Sequence, residues 1–338
     1  MFKDRDDARA VFNERCFVPG RFDPAPSVAQ CDAILDRLVP QFAFQHRGDS
    51  DAPRGATRLG GAPDMAKGTP WPPRPVPPDV TAIVAGLYEG HKWIGDHLVR
   101  ELPFEFVAQI DLAEASLSPR IAGALPDHGR LLFFWDGVAG GMFGGPAACR
   151  VIWDESPADQ LERLAIPPVL HELEAAYDPS GRFTKPYIWP SRAMRLAPIV
   201  HLPGRHTCEV ELDAELPAPL KNNTFDGCYD MMASLDDESH ARRLDRGSRR
   251  QRFMGLPDPE QDDPRYTAIE ARIGAYPWTG DRLREASRLG GEWQLVLQLD
   301  LGDLSQQPLT EGTLYFVIHR DDLARRDFGR VHAYYQQT

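Results

Sequence analysis

The sequence predicts an α+β protein in which two similar β-rich units, with mainly antiparallel or mixed sheets, arise by internal duplication, and three observations carry that prediction. Phe106-Val107-Ala108-Gln109-Ile110-Asp111-Leu112 returns almost unchanged as Leu295-Val296-Leu297-Gln298-Leu299-Asp300-Leu301. A Gln inside an apolar, β-prone run closed by Asp-Leu is unusual, and its recurrence points to a repeat. Other landmarks recur in the same order: Arg58 to Asp64 against Arg252 to Asp258 (258 − 64 = 194), and Gly129 to Trp135 against Gly312 to Ile318 (312 − 129 = 183). Arg150-Val151 is answered by Arg330-Val331 (330 − 150 = 180), so the offsets shrink slowly, as small loop deletions would make them. Finally, Arg130-Leu131-Leu132-Phe133-Phe134-Trp135 is apolar on successive residues, which suits strands covered on both faces. A pseudo-twofold relation between the units, with a groove at their junction, is consistent with this pattern.

Taken in order, residues 1–56 read as an N-terminal extension with one helix. Its start is signalled by Ser27 as N-cap, and its apolar stripe is Val28, Cys31, Ile34, Leu35 and Leu38. Repeat unit 1 spans 57–155. It opens on Arg58 to Pro72, a stretch too rich in Gly and Pro for a helix or a central strand, passes through a short helical pattern at 82–101, and contains strands at Phe104–Leu112, Arg130–Asp136 and Arg150–Asp154. The glycine-rich run Gly137 to Pro146 joins the last two. Residues 156–249 form an irregular connecting region, with a helix from Ala158 to Leu164, a strand at Cys208–Leu212 and a polar helix at Met231–Leu244. Repeat unit 2 spans 250–338 and ends with a short surface helix in which Asp321/Arg325 and Asp322/Arg326 are i,i+4 pairs.

Composition narrows the function classes. Apolar residues at 42% and charged residues at 26% describe a folding chain, and a net charge of −12 repels a phosphate backbone or an anionic membrane, so no nucleic acid and no membrane is expected as partner. The opening Met1-Phe2-Lys3-Asp4-Arg5-Asp6-Asp7 carries no apolar core segment, so no signal peptide and a cytoplasmic location are expected. Cys16, Cys31, Cys149, Cys208 and Cys228 are odd in number and lack a Cys-x-x-Cys pair, which suits reduced thiols. His201, His206, Cys208 and Cys228 match no zinc spacing, and no Gly-x-Ser-x-Gly elbow occurs, so neither a metal nor a cofactor is expected. The glycine-rich loop precedes a strand where a phosphate cradle needs a helix. Arg242, Arg243, Arg246, Arg249, Arg250 and Arg252 form the strongest basic cluster, preceded by Asp236, Asp237 and Glu238; it reads as a solvated helix and turn or as a surface for an acidic partner.

The motifs at Gly60–Pro72, Phe106–Leu112, Gly255–Gln261 and Gly312–Ile318, with Asp321-Asp322-Leu323 and Asp327-Phe328, together resemble the YwqG-like family, a bacterial family of uncharacterised function, over residues 57–338. The chain departs from it in the insertion at 73–101 and in the N-terminal extension. The resemblance implies no catalytic residues and no cofactor, and through an association with bacterial contact-toxin systems it implies an immunity or accessory role as one alternative.

The reading that follows is a cytoplasmic, non-enzymatic binding protein for an unknown protein or peptide partner. Its groove would lie at the unit junction and involve Asp64, Trp71, Gln109, Asp111, Asp258, Gln298 and Asp300. A Pro/Trp surface around Trp71 suits a peptide ligand. The alternative is a hydrolase-like enzyme in which Asp111 and Asp300 share acid/base work, since neighbouring carboxylates push their pKa values apart. Against it, each Asp can cap the turn that ends its strand and each Gln can bond backbone.

Overall fold

A computed structural model describes residues 2–48, 52–118, 121, 123, 125–138, 140, 144–177, 187–204, 207–211, 220–238, 250–273, 280–305 and 310–337. The strands are β1 Val39–His46, β2 Arg58–Leu59, β3 Asp64–Ala66, β4 Pro73–Arg74, β5 Leu102–Pro103, β6 Glu105–Asp111 and β7 Arg130–Trp135. They continue with β8 Cys149–Asp154, β9 Leu161–Arg163, β10 Arg192–His201, β11 Arg252–Phe253, β12 Trp293–Asp300, β13 Thr313–His319 and β14 His332–Gln336. With the helices between them, they make the protein α+β, and the registered strand pairs described below are antiparallel. The chain divides into two compact units, Met1–Gln45 with Leu196–Gln298 and His46–Arg195 with Leu299–Thr338.

In the first unit, helix Arg5–Arg15 starts at Asp4, whose carboxylate accepts the Asp7 N–H, and buries Ala8, Val11 and Phe12 at i, i+3, i+4 spacing. Helix Val28–Leu35 carries the expected Ser27 cap, completed into a capping box by Gln30. The extension therefore holds two helices and β1 rather than one helix; dense charges around Val11 and Phe12 mask the first stripe. Strand β1 pairs with β11 (Phe42 opposite Phe253), and β11 pairs with β12 (Arg252 opposite Gln298). The core packs Phe2, Phe12, Cys16, Cys31, Ile34, Phe225, Cys228 and Tyr229 together.

The connecting region corrects two expectations in this unit. Cys208–Glu211 is a short helix, because the Asp263 carboxylate accepts the Cys208 N–H as a helix start requires. The polar helix runs Asn223–Glu238 and so starts eight residues before the expected Met231, since the Asn222 side chain caps the Phe225 N–H; residues 239–249 lie outside the described residues. Helices Pro264–Ile273 and Gly280–Gly290 have no counterpart in the sequence reading.

In the second unit, β2 lies between β10 and β6, which continues to β7 and β8. Arg58–Leu59 is thus a central strand after all, only two residues long. Gly60 (φ 61°) and Gly61 (φ 75°) then turn the chain away in left-handed conformations suited to Gly. Expected strands β6, β7, β8 and β13 are present, and β7 is buried along its whole length. Phe106, Leu132 and Phe134 pack with Met65 and Phe104, while Phe133 meets Phe316 edge-on at 5.2 Å, so both faces are covered. Ala158 to Leu164 is not a helix: Pro157 precedes a single 3₁₀ turn, and Leu161–Arg163 then pairs with Asp64–Ala66. Helix Pro168–Tyr177 and strand β10 also escaped the sequence reading. At Arg320–Ala324 the expected helix forms, with Arg325 paired i,i+3 to Asp322 rather than i,i+4 to Asp321.

Candidate functional site

The two Gln-x-Asp-Leu phrases make the same local bonds. Gln109 Oε1 accepts the Asp64 N–H at 2.8 Å and its Nε2 donates to the Ala56 carbonyl at 2.9 Å. Gln298 Oε1 accepts the Asp258 N–H at 2.8 Å and its Nε2 donates to the Arg250 carbonyl at 3.1 Å. Both donors and both acceptors are related by the same offset of 194 (258 − 64 and 250 − 56). Met254, at φ 60°, occupies the position matching Gly60 at φ 61°. The glutamines are therefore buried backbone clamps, which is what an amide with one acceptor and two donors does well inside a sheet.

The carboxylates follow suit. Asp111 accepts the Ala113 N–H at 3.0 Å and caps helix Leu112–Ser116, while Asp300 accepts the Asp303 N–H at 2.9 Å. Burial raises the Asp111 pKa, partly offset by that backbone N–H. Asp64 is fully buried and receives the Gly55 N–H at 2.9 Å and the Arg163 guanidinium at 2.9 Å; burial still raises its pKa, so desolvation outweighs these partners. Its counterpart Asp258 is partly exposed, 3.8 Å from Arg250. Arg250 also binds Glu260 at 2.6 Å, while Arg242, Arg243, Arg246 and Arg249 of the basic cluster lie outside the described residues.

Trp71 is where the matched positions end and a distinct surface begins. Its indole N–H donates to the Phe104 carbonyl at 2.7 Å and its ring meets Phe134 edge-on, fixing the segment from Thr69 to Pro75 against the sheet. Phe104 N–H to Pro72 and the β4–β5 pairing hold the same segment from the other side. The result is a groove of about 470 Å³ within the second unit. Its apolar lining comes from Met65, Pro70, Pro72, Pro73, Pro75 and Phe104 of one stretch of chain and from Pro146, Ala147, Cys149 and Ile152 of another; Thr69 and Arg150 are its polar lining. The Cys149 thiol is pushed up to about 12 by burial, so at neutral pH it is an unreactive wall atom, its S–H directed at the Val331 carbonyl.

Behind the proline wall lies an ion network that the sequence reading missed. Arg74, buried between exposed Pro73 and Pro75, binds Asp136 at 2.8 Å and donates to the carbonyls of Pro75 and His97. His97 Nε2 lies 3.0 Å from the same Asp136. Glu105 accepts the Gly137 N–H at 2.9 Å and the Trp189 indole N–H at 3.2 Å. Burial, reinforced by repulsion from Asp136, raises the Glu105 pKa well above the usual carboxylate range. Arg74 and His97 come from the 73–101 segment, while Glu105 opens β6 and Asp136 follows β7, so the network fastens that segment to the sheet. At the positions offset as the recurring segments are stand Gln294 (105 + 189) and His319 (136 + 183), so the Glu105 and Asp136 charges do not recur there. The available signal was Glu105 itself, a charge set within the apolar run from Phe104 to Ile110.

Among the described residues, no group of three or more His, Cys, Asp or Glu side chains converges on a metal-sized site, and no helix is long and apolar enough to cross a membrane; His206 lies outside those residues. All five cysteines are buried free thiols. No curated protein matches the chain. A family model described as "Domain of unknown function (DUF1963)" matches residues 57–336, nearly the span over which the sequence motifs recur, and the chain belongs to that family.

Proposed function

We propose that this is a binding protein rather than an enzyme, and that it recognises a peptide segment in the proline-lined groove. The observation that carries the reading is a preformed apolar groove of about 470 Å³ whose proline wall is fixed by the Trp71, Phe104 and Arg74 bonds. Rigid walls reduce the ordering cost of binding, and a volume in this range fits a ligand fragment of one or two side chains. Asp111 and Asp300, the pair an acid/base mechanism would use, each hold a backbone N–H of their own turn.

The matched clamps around Gln109 and Gln298 support an internal duplication in which one half diverged to build the groove. The YwqG-like motifs fit this reading, as does a cytoplasmic bacterial protein acting by contact with a partner. The test is a random peptide library displayed against the immobilised protein, with Ala147→Trp as the blocked control; Ala147 is exposed on the groove wall. Enriched peptides should lose binding to the blocked variant. Equal binding to both proteins, or no enrichment, contradicts the proposal.

A further inference from the structure

We infer that the groove reads the free C-terminus of a peptide, seating an apolar last side chain among the prolines and pairing the α-carboxylate with Arg150; this rests on the groove reading above. Arg150 is the one charged side chain lining the groove, and it is exposed. Among the described residues it has neither an ion pair nor a hydrogen-bond partner for its side chain. In a chain of net charge −12, an unpaired guanidinium beside an apolar wall is a standing invitation to an anion.

The carboxylates of Asp154, on the same strand, and of Glu162, opposite the groove residue Met65, are already engaged. Asp154 holds Arg130 and the Ala66 and Ser156 N–H groups, and Glu162 accepts the Gly68 N–H. The matched position in the other half makes the contrast: Arg330 lies 3.8 Å from Asp327, an internal partner that Arg150 lacks. The half that carries the groove is the half that leaves its arginine open.

Placement fits a terminal residue. Arg150 and Ile152 are two apart on β8 and both line the groove, so the Cα atoms that carry the guanidinium and the apolar contact stand about 7 Å apart along one strand face. A single residue whose carboxylate and apolar side chain leave the same Cα can address both. An extended chain running through the groove would instead have to bury its onward backbone against prolines, which offer no N–H to satisfy it.

The test uses a fluorescein-labelled Ser-Gly-Ser-Gly-Phe peptide, as free acid and as C-terminal amide, in anisotropy titrations up to about 1 mM. The free acid should bind about tenfold or more tightly than the amide, the gain of a charge-assisted pair. Arg150→Gln should bring the two within about twofold, Arg150→Lys should restore part of the preference, and Ala147→Trp should abolish both. Unchanged melting temperatures separate these effects from misfolding. Equal binding of acid and amide, still blocked by Ala147→Trp, overturns the C-terminal reading and leaves the groove reading standing. An amide with Glu before Phe that matches the free acid overturns it in favour of an internal acidic side chain. If neither form binds, the C-terminal reading fails, and the display experiment decides the groove separately.

Discussion

Gln109 Oε1 and the Asp64 N–H stand 2.8 Å apart, the same separation as Gln298 Oε1 and the Asp258 N–H. This recurrence assigns the glutamines a structural role and sends the search for function to positions where the two sets of recurring segments differ. Replacing Gln109 by Leu strands the Asp64 N–H and the Ala56 carbonyl in a fully buried site, at about 1–3 kcal/mol for each unsatisfied group. Gln298→Leu should cost less, because Asp258 is partly exposed and water can reach it. Urea unfolding of the two variants checks the order; a larger loss for Gln298→Leu contradicts it.

Gly60 turns the chain where β2 ends, and a Cβ there would lie 2.2 Å from the Pro190 carbonyl oxygen and 2.8 Å from that of Trp189. Backbone atoms cannot step aside as a flexible side chain can. Gly60→Ala should therefore cost about 3 kcal/mol or more, combining positive-φ strain with overpacking. A midpoint in urea within error of the parent would show that the turn is softer than this.

The Arg74–Asp136–His97 network should behave as a buried ion cluster does. Asp136→Asn leaves Arg74 buried without its carboxylate partner and should destabilise by about 3–5 kcal/mol. Because Arg74 holds the proline wall, the variant should also weaken groove binding. Glu105 has a raised folded-state pKa, so its contribution is full below the unfolded carboxylate value and is lost as pH rises through the folded value. Glu105→Gln should therefore lose less stability than the parent as pH rises from the acid range to neutral, and parallel profiles would contradict the assignment.

Acid should act through two histidines. Burial holds His332 down to about 4, and burial together with Arg252 and the chain N-terminus holds His201 well below its ordinary value. Depressed values mean that their stabilising contribution is present above the unfolded value near 6.5 and is lost as pH falls through the folded ones. Melting temperature should drop between pH 6.5 and 4 in the parent and drop less in His332→Gln. An unchanged slope would remove His332 from the account.

Legibility in the sequence followed the kind of signal. Runs such as Arg130 to Trp135 and Leu295 to Leu301 announced buried strands, and Ser27 announced its helix, because long apolar runs and caps are local. Arg58–Leu59 was hidden because two residues directly before Gly60-Gly61 gain strand character only from neighbours on both sides. Cys208 was misread because its helix cap is Asp263, distant in sequence. Gln109 and Asp111 were found as motif residues, and their bonds gave them a structural role. Arg74, Asp136 and Glu105 were missed because three isolated charges become a network only when the 73–101 segment folds onto the sheet.

The most direct test of the groove as a binding site is methyl NMR of the protein labelled at Met ε and Ile δ1 positions, titrated with the free-acid Ser-Gly-Ser-Gly-Phe peptide. Met65 and Ile152 both line the groove. The account predicts saturable shifts at those two methyls, absent in Ala147→Trp. Shifts confined to other methyls, with Met65 and Ile152 unmoved at saturation, would contradict it.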